Sequence, residues 1–227
     1  ELGINNVQVI RKRIVLGAIK PNHASLKLTA SYNIKVYRNG KLIATRHKEN
    51  DPITLQWYRM VANMMFGFIR SRSSALTWYD TGYNERTWVD TKYCEKYSTQ
   101  DYDPQVYIAL GSGSATPSIY DYKMFSEVTK AVPDMTVTDD SANSQYIVTY
   151  TKTFTIQQDF TLSEVGLLLY LDVDTGPLTT YVYLLVAHDL VNPNISLVVG
   201  DSVSITYQLT IPYNANGPFT KWIYNAL

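Results

Sequence analysis

The chain has 227 residues, 20 Lys+Arg balanced by 20 Asp+Glu, 45% hydrophobic residues and 19 tyrosines. That composition excludes a disordered tail, and the length suffices to bury a core without covalent staples. One cysteine, Cys94, excludes an internal disulfide framework and a multi-Cys metal site, and the apolar runs Val165–Leu171 and Tyr181–Ala187 fall far short of the roughly 20 residues a membrane helix needs.

Net neutrality hides a division. Residues 1–100 carry 16 basic and 7 acidic side chains and residues 101–227 carry 4 and 13, so the halves stand at +9 and −9. Such halves attract each other or their neighbours. The first 48 residues hold ten Lys/Arg, but these alternate along expected strands without base-stacking aromatics, which argues against nucleic acid as a partner. Residues 14–19 are too short for a secretory h-region, and the start at Glu1 reads as following a removed leader or initiator Met.

Taken in order, residues 7–19 read as a strand, and Leu26–Tyr37 alternates apolar with polar, the period of a half-buried strand. Asn39-Gly40 suits a type I′ turn, returning Leu42–Arg46 as the second arm of a hairpin. Asp51-Pro52 reads as N-cap and first residue of a helix over 51–68, with Ile53, Trp57, Val61, Met64, Met65 and Phe68 on one stripe and Gly67 ending it. Residues 70–104 lose all periodicity yet hold Trp78, Tyr79, Tyr83, Trp88, Tyr93, Tyr97 and Tyr102. An irregular insertion so rich in aromatics is expected to contact a partner. Strand signals resume at Val106–Leu110, Gln145–Ile156, Glu164–Leu171, Tyr181–His188 and Ser202–Ile211. About eight strands with one good helix predict residues 1–227 as a single, mainly β domain: an antiparallel jelly-roll-like β-sandwich with one packed α-helix and a long irregular insertion.

Catalytic patterns are weak. Asp-Thr-Gly occurs at Asp80-Thr81-Gly82 and Asp174-Thr175-Gly176, the tripeptide of aspartic-protease loops, but Tyr83 and Pro177 follow where those enzymes prefer a small residue, so both copies are read as turns. His23, His47 and His188 lack zinc-ligand spacing, and Asp172-x-Asp174 lacks the glycine and distal Glu of a calcium loop. Gly111-Ser112-Gly113 has neither the Lys-Ser/Thr of a P-loop nor a third dinucleotide glycine. The expectation is therefore no catalytic, cofactor-binding or metal-ligating residue. Asn194-Ile195-Ser196 is a formal glycosylation acceptor.

One set of segments resembles a pattern in structural proteins of tailed phages and archaeal viruses: tail-fibre, baseplate, or vertex proteins of penton-base and turret-like type. An apolar helix near Trp57–Phe66 precedes a strand from Val106 ending in Gly111-x-Gly113, then Pro117-Ser118, an Asp and a Glu before a change of direction. Ser163-Glu-Val-Gly-Leu-Leu168 comes next, then the strands at 185–191 and 199–205, so the likeness spans about residues 51–211. Bulky Tyr122, Met124 and Phe125, and the insertion 70–104, depart from it. The resemblance implies a non-enzymatic virion protein, located in the particle, that self-assembles at a capsid vertex, turret base or tail with itself and other virion proteins as partners. The alternative is an attachment module whose aromatics at 70–104 grip a host-surface glycan.

Overall fold

The computed structural model describes residues 28–51, 53–66, 77–86, 105–174 and 179–212. Strands β1 (Thr29–Arg38) and β2 (Lys41–Asp51) form the expected hairpin, with Asn39 and Gly40 both at positive φ, 50° and 74°. Two positive φ values in succession are the type I′ turn, whose twist matches the strands it joins. After α1 (Leu55–Phe66) come β3 (Trp78–Tyr79) and β4 (Glu85–Arg86), then β5 (Gln105–Gly111), β6 (Glu127–Ala131), β7 (Asp134–Asp140), β8 (Gln145–Thr155), β9 (Phe160–Asp174), β10 (Thr179–Leu197) and β11 (Ser202–Pro212).

These strands form two antiparallel sheets, β2-β1-β11-β8-β7 and β10-β9-β5-β6, plus the small β3-β4 pair. Among the described residues the architecture is a β-sandwich with one helix. The sequence-adjacent pairs β1-β2, β5-β6, β7-β8 and β9-β10 each stay within one sheet, and β11 returns to lie between β1 and β8. Alternation sets the register: Ala30, Tyr32, Ile34 and Val36 of β1, and Val203, Ile205, Tyr207 and Leu209 of β11, all point inward. They meet Ile108 and Leu110 of β5, Leu162, Val165 and Leu167 of β9 and Leu184 of β10 from the facing sheet. Complete burial of side chains this size is worth about 1.5–3 kcal/mol each, and that burial holds the layers together.

The helix begins later than the sequence suggests. Asp51 closes β2, and Thr54 occupies the N-cap, its Oγ1 accepting from the Trp57 amide at 3.4 Å. The buried stripe includes Ile53, Gln56 and Met60, with Trp57 and Val61 half-buried against the core. β6 and β7 fall outside the expected strands: β6 is short and mixes Glu127, Thr129 and Lys130 with Val128 and Ala131, and β7 sets Met135 and Val137 among Asp and Thr. The strand expected at 7–19, and Gly67 and Phe68, lie outside the described residues.

Part of the charge division is consumed inside the subunit. Arg38 donates from Nε and Nη2 to the two oxygens of Asp201, each at 2.8 Å, and this fork holds the Asp201 carboxyl below its usual range. Lys48 pairs with Asp189 across the sandwich. It also lies 3.5 Å from Asp51, whose oxygens are fully buried and accept no hydrogen bond among the described residues. Burial pushes the Asp51 carboxyl up to about 6, against a partial pull downward from Lys48.

A raised carboxyl favours the folded state while protonated in it, so its contribution is present below 3.8 and is lost as pH rises through about 6. Asp51→Asn should remove this dependence. Urea unfolding across pH 4–7 should show the variant gaining on the wild type by about 2–3 kcal/mol as pH rises. A constant difference between the two would contradict the assignment.

Candidate functional site: a tethered loop and a tyrosine face

The inner face of the second sheet belongs to the core. Its outer face carries Ala109, Leu168 and Leu185, the loop 112–126 laid over them through Met124, and Tyr107 and Tyr183 packed alongside. Gly166 makes this possible: a Cβ there would stand 2.8 Å from the Met124 sulfur.

One side chain clasps both ends of the loop. Glu164 of β9 is buried, and its Oε1 accepts the amides of Gly113 at 3.1 Å and Ser126 at 2.6 Å, while Oε2 accepts Phe125 at 3.0 Å. Gly111 and Gly113 are required by proximity, since a Cβ at either would lie 2.5 Å from Glu164 Oε1. Burying a carboxylate costs several kcal/mol unless donors replace the lost water, and three main-chain donors do so here. The loop is tied a second time by His188, whose Nε2 donates to Asp121 Oδ2 at 2.9 Å; that same oxygen accepts the Ser118 amide at 2.6 Å. The Phe125 ring packs on the imidazole at 5.1 Å between centroids.

His188 reaches this face because β10 slips register between Leu185 and Ala187. Val186 and Ala187 both face the main core, and the extra residue re-aims the side chains beyond it. The irregularity also anchors the helix. The Thr54 amide donates to Val186 O at 2.8 Å, Thr54 Oγ1 donates to Leu185 O, and Ile53 bridges to Ala187. Buried Gln56 then joins two further pieces, donating to Tyr120 O of the loop at 3.2 Å and accepting the Tyr79 amide at 3.0 Å.

That last bond docks the β3–β4 hairpin, which the sequence places inside its irregular insertion. Asp80-Thr81-Gly82 is a turn, as its chemistry predicts: Asp80 Oδ1 accepts the amides of Gly82 at 2.8 Å and Asn84 at 2.9 Å, and Arg86 closes on Oδ2. Burial pushes the Asp80 carboxyl up, but the hydrogen bonds from Asn84 and Arg86 outweigh it and hold the group below the usual range. The second copy, at 174–176, lies partly outside the described residues. The Thr81 amide donates to Tyr183 O at 2.9 Å, fixing the hairpin to β10.

The seven aromatics expected at a partner interface divide. Trp78 is fully buried in the subunit's own core and leaves the interface set for that reason. Tyr79 is half-buried and stacks on exposed Tyr83 at 4.9 Å, which leans on Tyr122 at 4.8 Å. Trp88, Tyr93, Tyr97 and Tyr102 lie outside the described residues. Sequence reasoning missed a second group, Tyr107, Tyr170, Tyr181 and Tyr183. Tyr170 stacks on Tyr181 at 5.3 Å, Tyr107 meets Tyr183 edge-on at 5.4 Å, and Lys130 Nζ sits 4.1 Å from the Tyr183 ring centroid. Burial first, then neighbouring Tyr107, pushes the Tyr183 phenol up to about 12. The signal was present: on β10 these tyrosines alternate with Val182 and Leu184, occupying the outward positions where a solvated strand would carry polar residues.

Chemically, this side of the molecule is a rigid aromatic surface. Among the described residues no group of three or more His, Cys, Asp and Glu could hold a metal ion, and the Glu164 oxygens already accept main-chain donors. Comparison with protein-family models, curated proteins and solved structures finds no match to this chain.

Glu164→Gln replaces one acceptor oxygen by a donor that faces main-chain amides. It should cost about 2–4 kcal/mol in chemical denaturation. Amide exchange should accelerate at Gly113, Phe125 and Ser126 before the sheet amides, and unchanged protection there would mean that the loop is held by something else.

Proposed function

We propose that this chain is a non-enzymatic structural protein of a virus particle that self-assembles at a capsid vertex, turret base or tail. The reading rests on the aromatic surface over the second sheet. Tyr58, Tyr83, Ile119, Tyr120, Phe125 and Tyr181 are all exposed, and all belong to pieces that meet on this side: α1, the β3–β4 hairpin, the loop 112–126 and β10. Monomeric proteins keep such patches small, and tyrosines on a rigid base give apolar contact area at little entropic cost while retaining a hydroxyl for the rim. The resemblance to virion structural proteins adds support from the same residues, because Gly111, Gly113, Glu164, Gly166 and His188, which carry it, converge on the clasp beneath this surface.

The partner is first a second copy of the chain and then other particle proteins. A host-surface glycan is the second reading, favoured by Tyr83, 62% exposed and already stacked as a platform on Tyr79.

Tyr83→Ala should leave subunit melting within about 1 °C of wild type and weaken self-association by roughly 2 kcal/mol or more, read by native mass spectrometry over a concentration series. Trp78→Ala should behave in the opposite sense, costing about 3–5 kcal/mol of subunit stability. A strictly monomeric wild type at every concentration, with Tyr83→Ala abolishing retention on a glycan column, would replace the assembly reading with the glycan reading.

A further inference from the structure

Lys48 and Asp51 both belong to β2, where a regular strand would turn residues at that spacing to opposite faces. The pairing with β1 slips between them, with Asn50 at φ 61°. Lys48 therefore stands opposite Tyr32 and Asp51 opposite Ala30, both on the inward side. Asp189 meets them from β10 in the facing sheet, where it follows His188 and turns the other way.

Lys48 Nζ donates to Asp189 Oδ2 and lies 3.5 Å from Asp51 Oδ1. Asp189 Oδ1 accepts the Leu190 amide at 2.6 Å, and the Tyr32 hydroxyl donates to Leu190 O at 2.7 Å. Both carboxyls are buried, and Lys48 is half-exposed. A simple ion pair explains Lys48 and Asp189 but not Asp51. One ammonium neutralises one carboxylate, and a second buried carboxyl whose oxygens accept no hydrogen bond among the described residues is costly.

We propose that Lys48 and Asp189 condense into an intramolecular isopeptide bond, with Asp51 carrying protons for the reaction. Lys48 yields one ammonium proton to Asp189, so that a neutral amine faces a neutral carboxyl. The Nζ lone pair adds to Asp189 Cγ, and the charge developing on Oδ1 is met by the Leu190 amide. Asp51, as the neutral acid, gives its proton to the departing Oδ2 and takes one back from the nitrogen. The Nζ–Cγ bond forms, the Cγ–Oδ2 bond breaks and water leaves. Two of the three ammonium protons depart in that water, the third stays on the amide nitrogen, and nothing is oxidised or reduced.

The surroundings suit this chemistry. Burial pushes Asp51 up to about 6, where it exchanges a proton near neutrality. Burial, and then the Asp51 carboxylate, push the Tyr32 phenol up to about 12 and the Tyr207 phenol well above its usual range, so both stay protonated beside it. Groups held in contact react as if at very high concentration, and the half-exposed Lys48 side leaves the water a way out. The bond would tie the two sheets through residues 141 apart in sequence, a constraint on the unfolded chain that a single cysteine cannot supply. It does not depend on the assembly reading.

The test is the intact mass of the full chain, denatured after being held folded at neutral pH. Wild type should weigh about 18 Da less than its sequence, one water lost. Tryptic digestion should give a branched peptide joining Lys48 to Asp189, uncut after Lys48, a result that stands even if a variant fails to fold. Lys48→Arg keeps the charge but has no amine to condense, and should retain full mass. Asp51→Asn, nearly isosteric, should lose water roughly a hundredfold more slowly. Wild type at full mass, with an unbranched peptide map, would reduce the cluster to an ion pair and overturn the proposal. So would the same loss in Lys48→Arg, which would place the dehydration elsewhere, or condensation of Asp51→Asn at the wild-type rate.

Discussion

A buried carboxylate that has exchanged water for main-chain amides governs how the second sheet is dressed. Glu164 cannot be hydrated where it sits, so its charge must be met by donors held at fixed positions, and the chain supplies them by turning back at Gly113 and again at Phe125 and Ser126. Loop 112–126 is thereby a rigid part of the sandwich. Because the loop is fixed, Asp121 can meet His188, Ile119 O can accept the Leu55 amide at 2.7 Å, and Tyr120 O can accept from Gln56. The helix and the small hairpin are placed through these contacts, and Tyr58, Tyr79, Tyr83 and Tyr120 inherit their positions from them.

Strands whose neighbours impose strict alternation were legible from the chain alone. The run Val203, Ile205, Tyr207, Leu209 can face only one way, and the Asn39-Gly40 turn fixes the hairpin beside it. β6 and β7 were not legible, since they are sheet edges with little to bury and their residues are set by solvent. The helix start was misplaced for a tertiary reason. Asp51 has the chemistry of an N-cap, but its backbone is paired with Ala30 in the sheet, and Thr54 is the next residue able to cap.

The site was legible in fragments. Gly111, Gly113 and Glu164 stood out as motif positions, yet nothing local reveals that residues about fifty apart in the chain touch, because that contact exists only once β5 and β9 are paired. Aromatic content marked the insertion correctly as unusual but could not sort its members. Trp78 goes inward because one face of the short β3–β4 pair meets the core, and Tyr83 stays exposed because it sits in the turn between the two strands, at a positive φ of 63°. The tyrosines of β5, β9 and β10 were hidden by periodicity itself: alternation of tyrosine with leucine looks uniformly apolar until one knows which side of the sheet is covered.

The edge strand β7 has a different significance. Every residue from Asp134 to Asp139 is exposed, and Met135 and Val137 lie on its inward side, opposite Tyr150 and Val148 of β8 but beyond the cover of the narrower second sheet. A row of β-branched and apolar residues at a sheet margin is a template for uncontrolled strand pairing. The strand carries carboxylates at both ends, so two such edges approaching antiparallel would set Asp134 of one against Asp140 of the other. Any β-sandwich with an open margin needs most of its possible edge-to-edge meetings to fail. On β7 that protection is written as like charge, whereas the tyrosine face of the second sheet presents rings in place of open backbone.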